Sequence, residues 1–144
     1  MKKDKIDEDI IELLQANGRT SNKEIADRLS ISEGTVRNRI KKLCDENYLK
    51  VKGLINPDSS RENQLLFLGA KVALSRDLQK TAKAVTKLPY VRSVSVVSGR
   101  YDLLIEIFLP QHKLISFISG QLSKVDSIVS TESFLAMECI NKWI

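Results

Sequence analysis

The residues best suited to chemistry lie between positions 34 and 44, where four basic side chains and one amide occur without an acid. Arg37 and Asn38 carry paired hydrogen-bonding groups that match the guanine and adenine edges of the major groove. Arginine and lysine also neutralise phosphates. This pattern predicts a helix surface that contacts duplex DNA. Its predicted contact residues are Ser32, Gly34, Thr35, Arg37, Asn38, Arg39, Lys41 and Lys42.

Two helices are needed to position that surface, and the apolar periodicity predicts both. The spans 22–29 and 33–43 each repeat apolar residues one helical turn apart. Ser21 and Ser32 stand where an N-cap hydroxyl accepts a hydrogen bond from the first turn. The few residues between the spans leave room only for a tight turn, so a helix-turn-helix is predicted. The inward positions are Ile25, Ala26 and Leu29, then Val36, Ile40 and Leu43.

A basic stripe taken alone is more often a solvated helix face than a nucleic-acid contact. Here the stripe follows a capped helix and a short turn, which is the position of a recognition helix, and this favours DNA binding. The alternative is a helix-turn-helix that serves only protein contacts. A steep loss of affinity with salt would distinguish a DNA binder from such an adaptor.

Composition allows one ordinary domain or two small ones, since the chain has 144 residues, of which 42% are hydrophobic. Its formal net charge is +5. Residues 1–60 carry 12 basic and 11 acidic side chains, whereas residues 61–144 carry 11 and 7. The half with the predicted DNA contacts is therefore nearly neutral, and the prediction depends on the local stripe.

Other chemistries lack the necessary residues in this sequence. Cys44 and Cys139 are far apart and His112 is the single histidine, whereas a structural zinc site needs about four ligands. No nucleophile–base–acid set or phosphate loop is present, so we expect no enzymatic activity and no cofactor. The charged N-terminus and the absence of an apolar run of roughly 18 residues predict a cytoplasmic protein without a membrane partner.

The N-terminal part is predicted to be a three-helix DNA-binding domain over residues 1–55. Its first helix spans 6–15, with acids in the first turn, where the helix dipole favours them, and Asn17-Gly18 as the stop. Asn47 is expected to end the recognition helix in a left-handed conformation. A linker is predicted over 56–64, because NPDSSREN combines turn residues with no periodic apolar position.

Residues 65–144 alternate strand and helix patterns. Strands are predicted over 65–74, 91–98, 101–109 and 128–137, and helices over 77–87 and 110–124. Gly99-Arg100 is the turn of a central antiparallel hairpin. This order predicts a ferredoxin-like βαββαβ domain, with both helices on one face of a four-stranded antiparallel sheet, and an α+β protein.

Too many strand residues are apolar for all of them to face the two helices. Some must lie on the uncovered face, which predicts an interaction site and sheet-to-sheet dimerisation. The residues concerned are Leu66, Leu68, Val72, Ile105, Ile107, Phe134 and Ala136.

Both halves carry motifs in a distinctive order. Ile6-Asp7 is followed by Asn-Gly-Arg-x-Ser-x-x-Glu-Ile-Ala over 17–26 and Ser-x-x-Thr-Val-x-x-Arg-Ile-x-x-Leu over 32–43. This arrangement resembles the leucine-responsive regulatory protein/AsnC family of transcription regulators. The second half continues the resemblance with Val-x-x-Val-x-x-Val-x-Gly-x-Tyr-Asp-Leu over 91–103.

The resemblance implies homodimers that associate through the sheet and often assemble into rings of dimers. It also implies a pocket for an amino-acid effector between neighbouring dimers, in the C-terminal domain. The pocket residues implied by position are Ser98, Gly99, Arg100, Tyr101 and Asp102 of the turn, with the hydroxyl residues Thr131 and Ser133 of the last strand.

These residue types suit a free amino acid, which is a zwitterion. Asp102 can accept from its ammonium group, while the hydroxyls of Thr131 and Ser133 and N–H groups near Gly99 can donate to its carboxylate. Simpler roles are open as well: Gly99 serves the hairpin turn in any case, Asp102 could cap that turn, and the two hydroxyls could be plain strand surface.

The motifs therefore predict a sequence-specific DNA-binding transcription regulator, modulated by a small amino-acid effector bound between dimers. Its predicted partners are double-stranded DNA, the effector and further copies of the chain. The alternative is a DNA-organising regulator that needs no effector.

Overall fold

A computed structural model describes residues 3–73 and 77–144, and the chain divides after Gly53 into two compact units. Among the helices in these ranges, none is long and apolar enough to cross a membrane. Each unit has its own hydrophobic core.

The first unit contains three helices: α1 (Lys5–Ala16), α2 (Asn22–Leu29) and α3 (Glu33–Asp45). The predicted spans agree with them to within two residues. Both predicted N-caps are confirmed: the hydroxyl oxygens of Ser21 and Ser32 each accept a hydrogen bond of 3.1 Å from the backbone N–H three residues later. The core consists of Ile10, Leu14, Ile25, Ala26, Val36 and Leu43.

The turn between α2 and α3 is tight because Ser30 adopts the left-handed conformation, with φ of 54°. The chain therefore reverses within one residue, and the Ile31 N–H donates to the Ala26 carbonyl at 3.1 Å. Asn47, with φ of 58°, ends the last helix as predicted. The helix-turn-helix expected from the sequence is present.

The predicted linker over 56–64 is wrong, because this segment is part of the second unit. Ile55 and Ile144 exchange backbone hydrogen bonds of 3.0 and 3.1 Å. Pro57 is buried in a 3-10 turn, and the Asp58 carboxylate accepts from the Cys139 N–H at 2.8 Å. The turn residues that suggested a flexible linker instead form a packed corner that the C-terminal residues hold in place.

The second unit contains β1 (Asn63–Val72), α4 (Leu78–Val85), β2 (Val91–Val96), β3 (Leu103–Pro110) and β4 (Ile128–Leu135). The strands form one antiparallel sheet in the order β2-β3-β1-β4. The predicted ferredoxin-like α+β fold is confirmed. Of the predicted strand over 65–74, position 74 lies outside the described residues.

The helix predicted over 110–124 is irregular. It runs as a 3-10 turn (Gln111–Lys113), an α-helical turn α5 (Leu114–Ser116), a π-helical turn (Phe117–Gln121) and a second 3-10 turn (Leu122–Lys124). Three serine hydroxyls, of Ser116, Ser119 and Ser123, donate back to carbonyls one turn earlier. Such back-bonding, together with Gly120, weakens regular helix geometry.

The main core lies between the sheet and these helical segments. Alternate residues of β1 and β3 face the helices, and Val85, Phe117 and Leu122 close the layer from above. The buried strand residues are Leu66, Leu68, Ala70, Leu103, Ile105, Ile107 and Leu109. Val72 packs against the same cluster.

The opposite side of the sheet, here called the outer face, retains apolar surface as predicted. Part of it is covered by the C-terminal residues, since Ile144 packs against Leu65 and Phe108. Of the seven apolar residues considered above, Phe134 and Ala136 lie on this side. Phe134 is exposed there, together with Phe67 and Leu104, which the sequence analysis did not single out.

Gly69 lies at the centre of the outer face, where Tyr101 packs directly on its backbone. A Cβ atom at Gly69 would come within 2.6 Å of two ring carbons of Tyr101. The ring also meets Phe134 edge-on, with centroids 6.4 Å apart. Glycine is therefore required at this strand position by the close approach of an aromatic ring.

We expect Gly69→Ala to destabilise the second unit by about 1–3 kcal/mol, because the added methyl forces the Tyr101 ring off the sheet. Urea unfolding followed by circular dichroism measures this change. Gly53→Ala is the matched control, since a Cβ there meets no atom within 4 Å. Equal stability of the Gly69 variant and the parent chain would show that Tyr101 is not held against the sheet.

Candidate nucleic-acid interface and effector site

The exposed face of α3 contains most of the residues predicted to contact DNA. Val36 and Leu43 are fully buried and fix the rotation of the helix about its axis. Thr35 is half-buried, and its hydroxyl lies 2.8 Å from that of the N-cap Ser32. The predicted residues that the structure leaves exposed are Ser32, Gly34, Arg37, Asn38, Lys41 and Lys42.

Two of the exposed cations are paired with acids on the same helix. Arg37 lies 3.3 Å from Glu33 and Lys41 lies 2.5 Å from Asp45, both one turn away. Both pairs are exposed to solvent and therefore weak, so phosphate or base contacts can replace them at little cost. The two ion pairs therefore orient Arg37 and Lys41 and leave both side chains available to bind DNA.

Arg39 is different, because its guanidinium binds two acids at the start of α1. Its Nη1 donates to both carboxylate oxygens of Asp4 and to Oδ1 of Asp7, each at 2.8 Å. Asp7 is only 5% exposed, and Asp4 and Asp7 also form the capping box that starts α1. Arg39 therefore ties α3 to the first turn of α1, and this structural role occupies the guanidinium that was predicted to contact DNA.

The sequence analysis attributed the acids of the first turn of α1 to the helix dipole alone. The structure adds a specific cation, and hydrogen bonding to Arg39 holds the pKa of Asp4 below its ordinary value of 3.8. The partners lie more than thirty residues apart in sequence, so no local pattern indicated this role of Arg39.

The turn that carries the predicted effector residues is closed by backbone hydrogen bonds. The Val97 N–H donates to the Asp102 carbonyl at 3.0 Å, and the Asp102 N–H donates to the Ala70 carbonyl at 2.9 Å. Gly99 has φ of 124°, a conformation that favours glycine. Ser98, Gly99 and Arg100 are exposed at the tip of this turn.

The Asp102 carboxylate binds the backbone at the end of β1. Its Oδ2 accepts from the Val72 N–H at 2.9 Å, two residues beyond the last β1–β3 pair, Ala70 with Leu103. A register shift in β1 occurs at the same point. Asp102 therefore has a structural role on β1 rather than as a cap of the hairpin turn, and this role uses one of the two carboxylate oxygens.

Arg100 and Tyr101 reach across the outer face toward β4. The Arg100 guanidinium lies 5.5 Å above the Tyr101 ring and 3.3 Å from the Glu132 carboxylate. The Tyr101 hydroxyl is buried and finds no hydrogen-bond partner among the residues that the structure describes. The sequence analysis missed Glu132 and Gly69, although an isolated glycine within a strand pattern is a signal for close approach.

Thr131 and Ser133 lie elsewhere, exposed on β4 and paired with Ala70 and Leu68. These partners face the helices, so both hydroxyl residues are on the helix side of the sheet, whereas Tyr101 is on the outer face. Strand β1 also separates them from β3, which corresponds to about 10 Å across two strand spacings. One chain therefore does not bring the seven predicted residues into one pocket.

A cavity of about 320 Å³ lies between β4 and the irregular helix. Its lining is mainly apolar with several hydroxyl groups, and Thr131 is the only predicted effector residue that contributes to it. The lining residues are Ile118, Ser119, Leu122, Ser123, Ile128, Val129, Ser130 and Thr131.

Comparison with known families agrees with both units. A sequence model of winged helix-turn-helix DNA-binding domains matches residues 3–50. The model of the Lrp/AsnC ligand binding domain matches residues 66–142, more than half of the chain. The chain belongs to the Lrp/AsnC family. Its relatives include HTH-type transcription regulators. Helix α3 lies in the segment that matches the DNA-binding model, and the turn at 98–102, Thr131 and Ser133 lie in the segment that matches the ligand-binding model.

Relatives of this Lrp/AsnC protein span its whole length. An uncharacterised HTH-type transcriptional regulator of Pyrococcus horikoshii is 30% identical over 142 residues, covering 97% of this chain and 89% of the relative. The leucine response regulatory protein LrpA of Mycobacterium tuberculosis shares the fold, with a TM-score of 0.82, 17% identity and coverage of 97% and 96%. A Neisseria meningitidis transcriptional regulator, crystallised as a complex with L-Met, has a TM-score of 0.72, 25% identity and coverage of 98% and 94%.

We expect Arg39→Ala to destabilise the first unit by about 2 kcal/mol, since Asp7 would remain buried without its cation. Arg39 also lowers the pKa of Asp4, so the part of the link that involves Asp4 stabilises the first unit above the ordinary pKa of 3.8 and is lost as the pH falls through the lower folded value. Urea unfolding at neutral pH and below about pH 3 measures both effects.

The matched control is Arg28→Ala, which removes an exposed arginine that is paired with Glu24 one turn away on α2. It should cost about 0.3–0.5 kcal/mol. If the two arginine variants were equally stable at neutral pH, the link between α1 and α3 would contribute no more than an ordinary surface pair.

Proposed function

We propose that this protein is a sequence-specific DNA-binding regulator whose helix α3 enters the major groove. The observation that carries this proposal is the exposed pair Arg37 and Asn38 on a helix whose rotation is fixed by buried Val36 and Leu43. A guanidinium and a carboxamide at adjacent positions provide bidentate partners for guanine and adenine. Lys41 and Lys42, one turn further on, are placed for phosphate contacts.

The rigidity of the first unit supports base recognition. The left-handed Ser30 and the Ser32 cap fix the start of α3, and the link from Arg39 to α1 holds the helix near its middle. A recognition helix must keep its side chains aligned with base edges to within hydrogen-bonding tolerance, so a fixed helix favours readout over loose electrostatic binding.

We expect Arg37→Ala or Asn38→Ala to weaken operator binding by about 1–3 kcal/mol each, with a smaller effect on random duplex. Gel-shift or anisotropy titrations of both duplexes measure the difference. Lys42→Ala is the control, since loss of a phosphate contact weakens both duplexes alike. An equal loss on the two duplexes in the Arg37 and Asn38 variants would restrict these residues to phosphate contacts.

Two copies of α3 reading two half-sites require a dimer, and the outer face is the surface that supports one. Phe67, Leu104 and Phe134 form an exposed apolar group on three adjacent strands of this face. We propose that two chains associate through this face, so that the pair reads a pseudo-palindrome. Further association into rings of dimers is part of the same proposal and follows the family resemblance.

We further propose that a small amino acid binds between neighbouring dimers. The separation of Tyr101 from Thr131 and Ser133 supports a shared site, because a single chain holds Tyr101 and the two hydroxyl residues on opposite sides of the sheet. The Asp102 carboxylate has a second oxygen beyond the one bound to Val72, and the Tyr101 hydroxyl has no hydrogen-bond partner within residues 3–73 and 77–144. The L-Met complex of the Neisseria relative supports an amino acid as the ligand class.

Such an effector regulates only if it binds the alternative assembly or DNA-bound states with different affinities. If no amino acid binds, the protein is the effector-independent, DNA-organising regulator considered above. The two functions share the DNA-binding surface and differ in the second unit.

We expect one or a few of the twenty amino acids to raise the thermal unfolding temperature. A ligand at 100 times its dissociation constant stabilises the folded state by about 2.7 kcal/mol. Asp102→Asn is the informative variant, because its amide oxygen can still accept from the Val72 N–H while the negative charge is lost. It should unfold near the parent temperature without ligand and lose the ligand-induced increase.

Asp126→Asn removes the same charge at an exposed position and should keep the full response. A full response in the Asp102 variant would remove this carboxylate from the ammonium site. No response of the parent chain to any amino acid would favour the effector-independent function.

A further inference from the structure

A second basic region lies outside the recognition helix. From Leu78 to Tyr101 the chain has 24 residues, five of them cationic and none acidic. The cations are Lys80, Lys83, Lys87, Arg92 and Arg100. Arg92 and Arg100 lie near the outer-face rings of Phe108 and Tyr101, whereas the three lysines belong to α4 and the turn that follows it.

The three lysines share one exposed surface, here called the α4 surface. Thr81 and Val85 are buried and anchor α4 on the sheet, so Lys80 and Lys83 face solvent. Lys87 lies in the turn after α4, and its backbone N–H donates to the Ala84 carbonyl at 3.1 Å. A shallow concavity of about 620 Å³ is lined by Gln79, Lys80, Lys83, Ala84 and Lys87.

The positive charge of this surface is largely uncompensated. Within residues 3–73 and 77–144, no ion pair joins Lys80, Lys83 or Lys87 to an acid. Asp77 and Asp126 lie beside Lys80 in a neighbouring depression, so the positive potential increases from Lys80 toward Lys87. Like charges on one helix face repel one another, and an anionic partner relieves that cost.

We propose that the α4 surface binds the phosphate backbone of duplex DNA as a second contact, additional to the recognition helix. The proposal rests on the DNA binding proposed above. Lys80 and Lys83 lie about 4.5 Å apart along the axis of α4 and Lys87 follows in the next turn, while one DNA strand presents a phosphate about every 3.4 Å along its own axis. Lysine is a point charge on a flexible stem, which suits phosphates and reads no bases.

The residue types favour DNA over an acidic protein partner. Protein–protein interfaces are enriched in aromatic residues and arginine and depleted in lysine. The α4 surface consists of lysines, Gln79 and Ala84, with no aromatic anchor. In addition, α4 packs on the helix side of the sheet, so the surface stays open when the outer face is occupied by a second copy.

The test measures binding of the full chain to mixed-sequence duplexes of about 20 and about 60 base pairs, two and six helical turns. Fluorescence anisotropy titrations from about 50 to about 200 mM salt give the slope of log affinity against log salt. The variant Lys80→Gln/Lys83→Gln/Lys87→Gln replaces each lysine with an uncharged, unbranched side chain of similar helix propensity. On the long duplex, its salt slope should be smaller in magnitude than that of the parent chain by about 0.9 per lost phosphate contact, or roughly 2.7 for three contacts. Such a difference means that the fall in affinity between about 50 and about 200 mM salt is about 40-fold smaller in the variant than in the parent chain.

The control Arg61→Gln/Lys113→Gln/Lys124→Gln removes three positive charges at exposed positions elsewhere on the second unit. It separates a specific surface from a general effect of net charge. A loss confined to the α4 variant, with an unchanged unfolding temperature, supports the proposal. Equal slopes for the α4 variant and the parent chain, or equal losses in both triple variants, overturn it and leave the recognition helix as the DNA contact. If the parent chain bound neither duplex, the proposed DNA binding itself would fail.

Discussion

The second unit depends on the alternation of side chains along β1, one of the two strands that are paired on both edges. Leu66, Leu68 and Ala70 face the helices, which places Phe67 and Gly69 on the outer face. A shift of one residue would exchange the two sets and expose the core, so the register has no neighbouring alternative. The glycine that receives the Tyr101 ring and the Val72 N–H that binds Asp102 are fixed by the same register.

Local signals explain why the first unit was predictable and the rest less so. The two helices of the helix-turn-helix are started by serine caps and ended by left-handed residues, and each signal acts within four residues of the chain. Arg39 finds its partners more than thirty residues away, which no local pattern encodes. The order of strands was likewise accessible from period and length, because few topologies satisfy a βαββαβ sequence.

The errors in prediction have two physical causes. Some groups have partners that are distant in sequence, and some side chains compete with the backbone for hydrogen bonds. NPDSSREN reads as a linker until Asp58 and Ile55 meet the C-terminal residues. The predicted helix over 110–124 has the right apolar period, yet its serines bond back to carbonyls and distort it. The candidate site was found in its parts, but the sequence could not show that Tyr101 and Thr131 lie on opposite sides of the sheet.

That separation constrains how the proposed regulator would sense an effector. If one chain supplies the turn at 98–102 and another supplies Thr131 and Ser133, the complete pocket exists only in the assembled state. An amino acid that binds the complete pocket then stabilises assembly, and assembly raises its affinity by the same factor. Because two α3 helices must be spaced to match two half-sites, any effector that alters assembly also alters which DNA is bound. Regulation of this kind needs no path of rearranged side chains through the domain, only a site that is divided between copies.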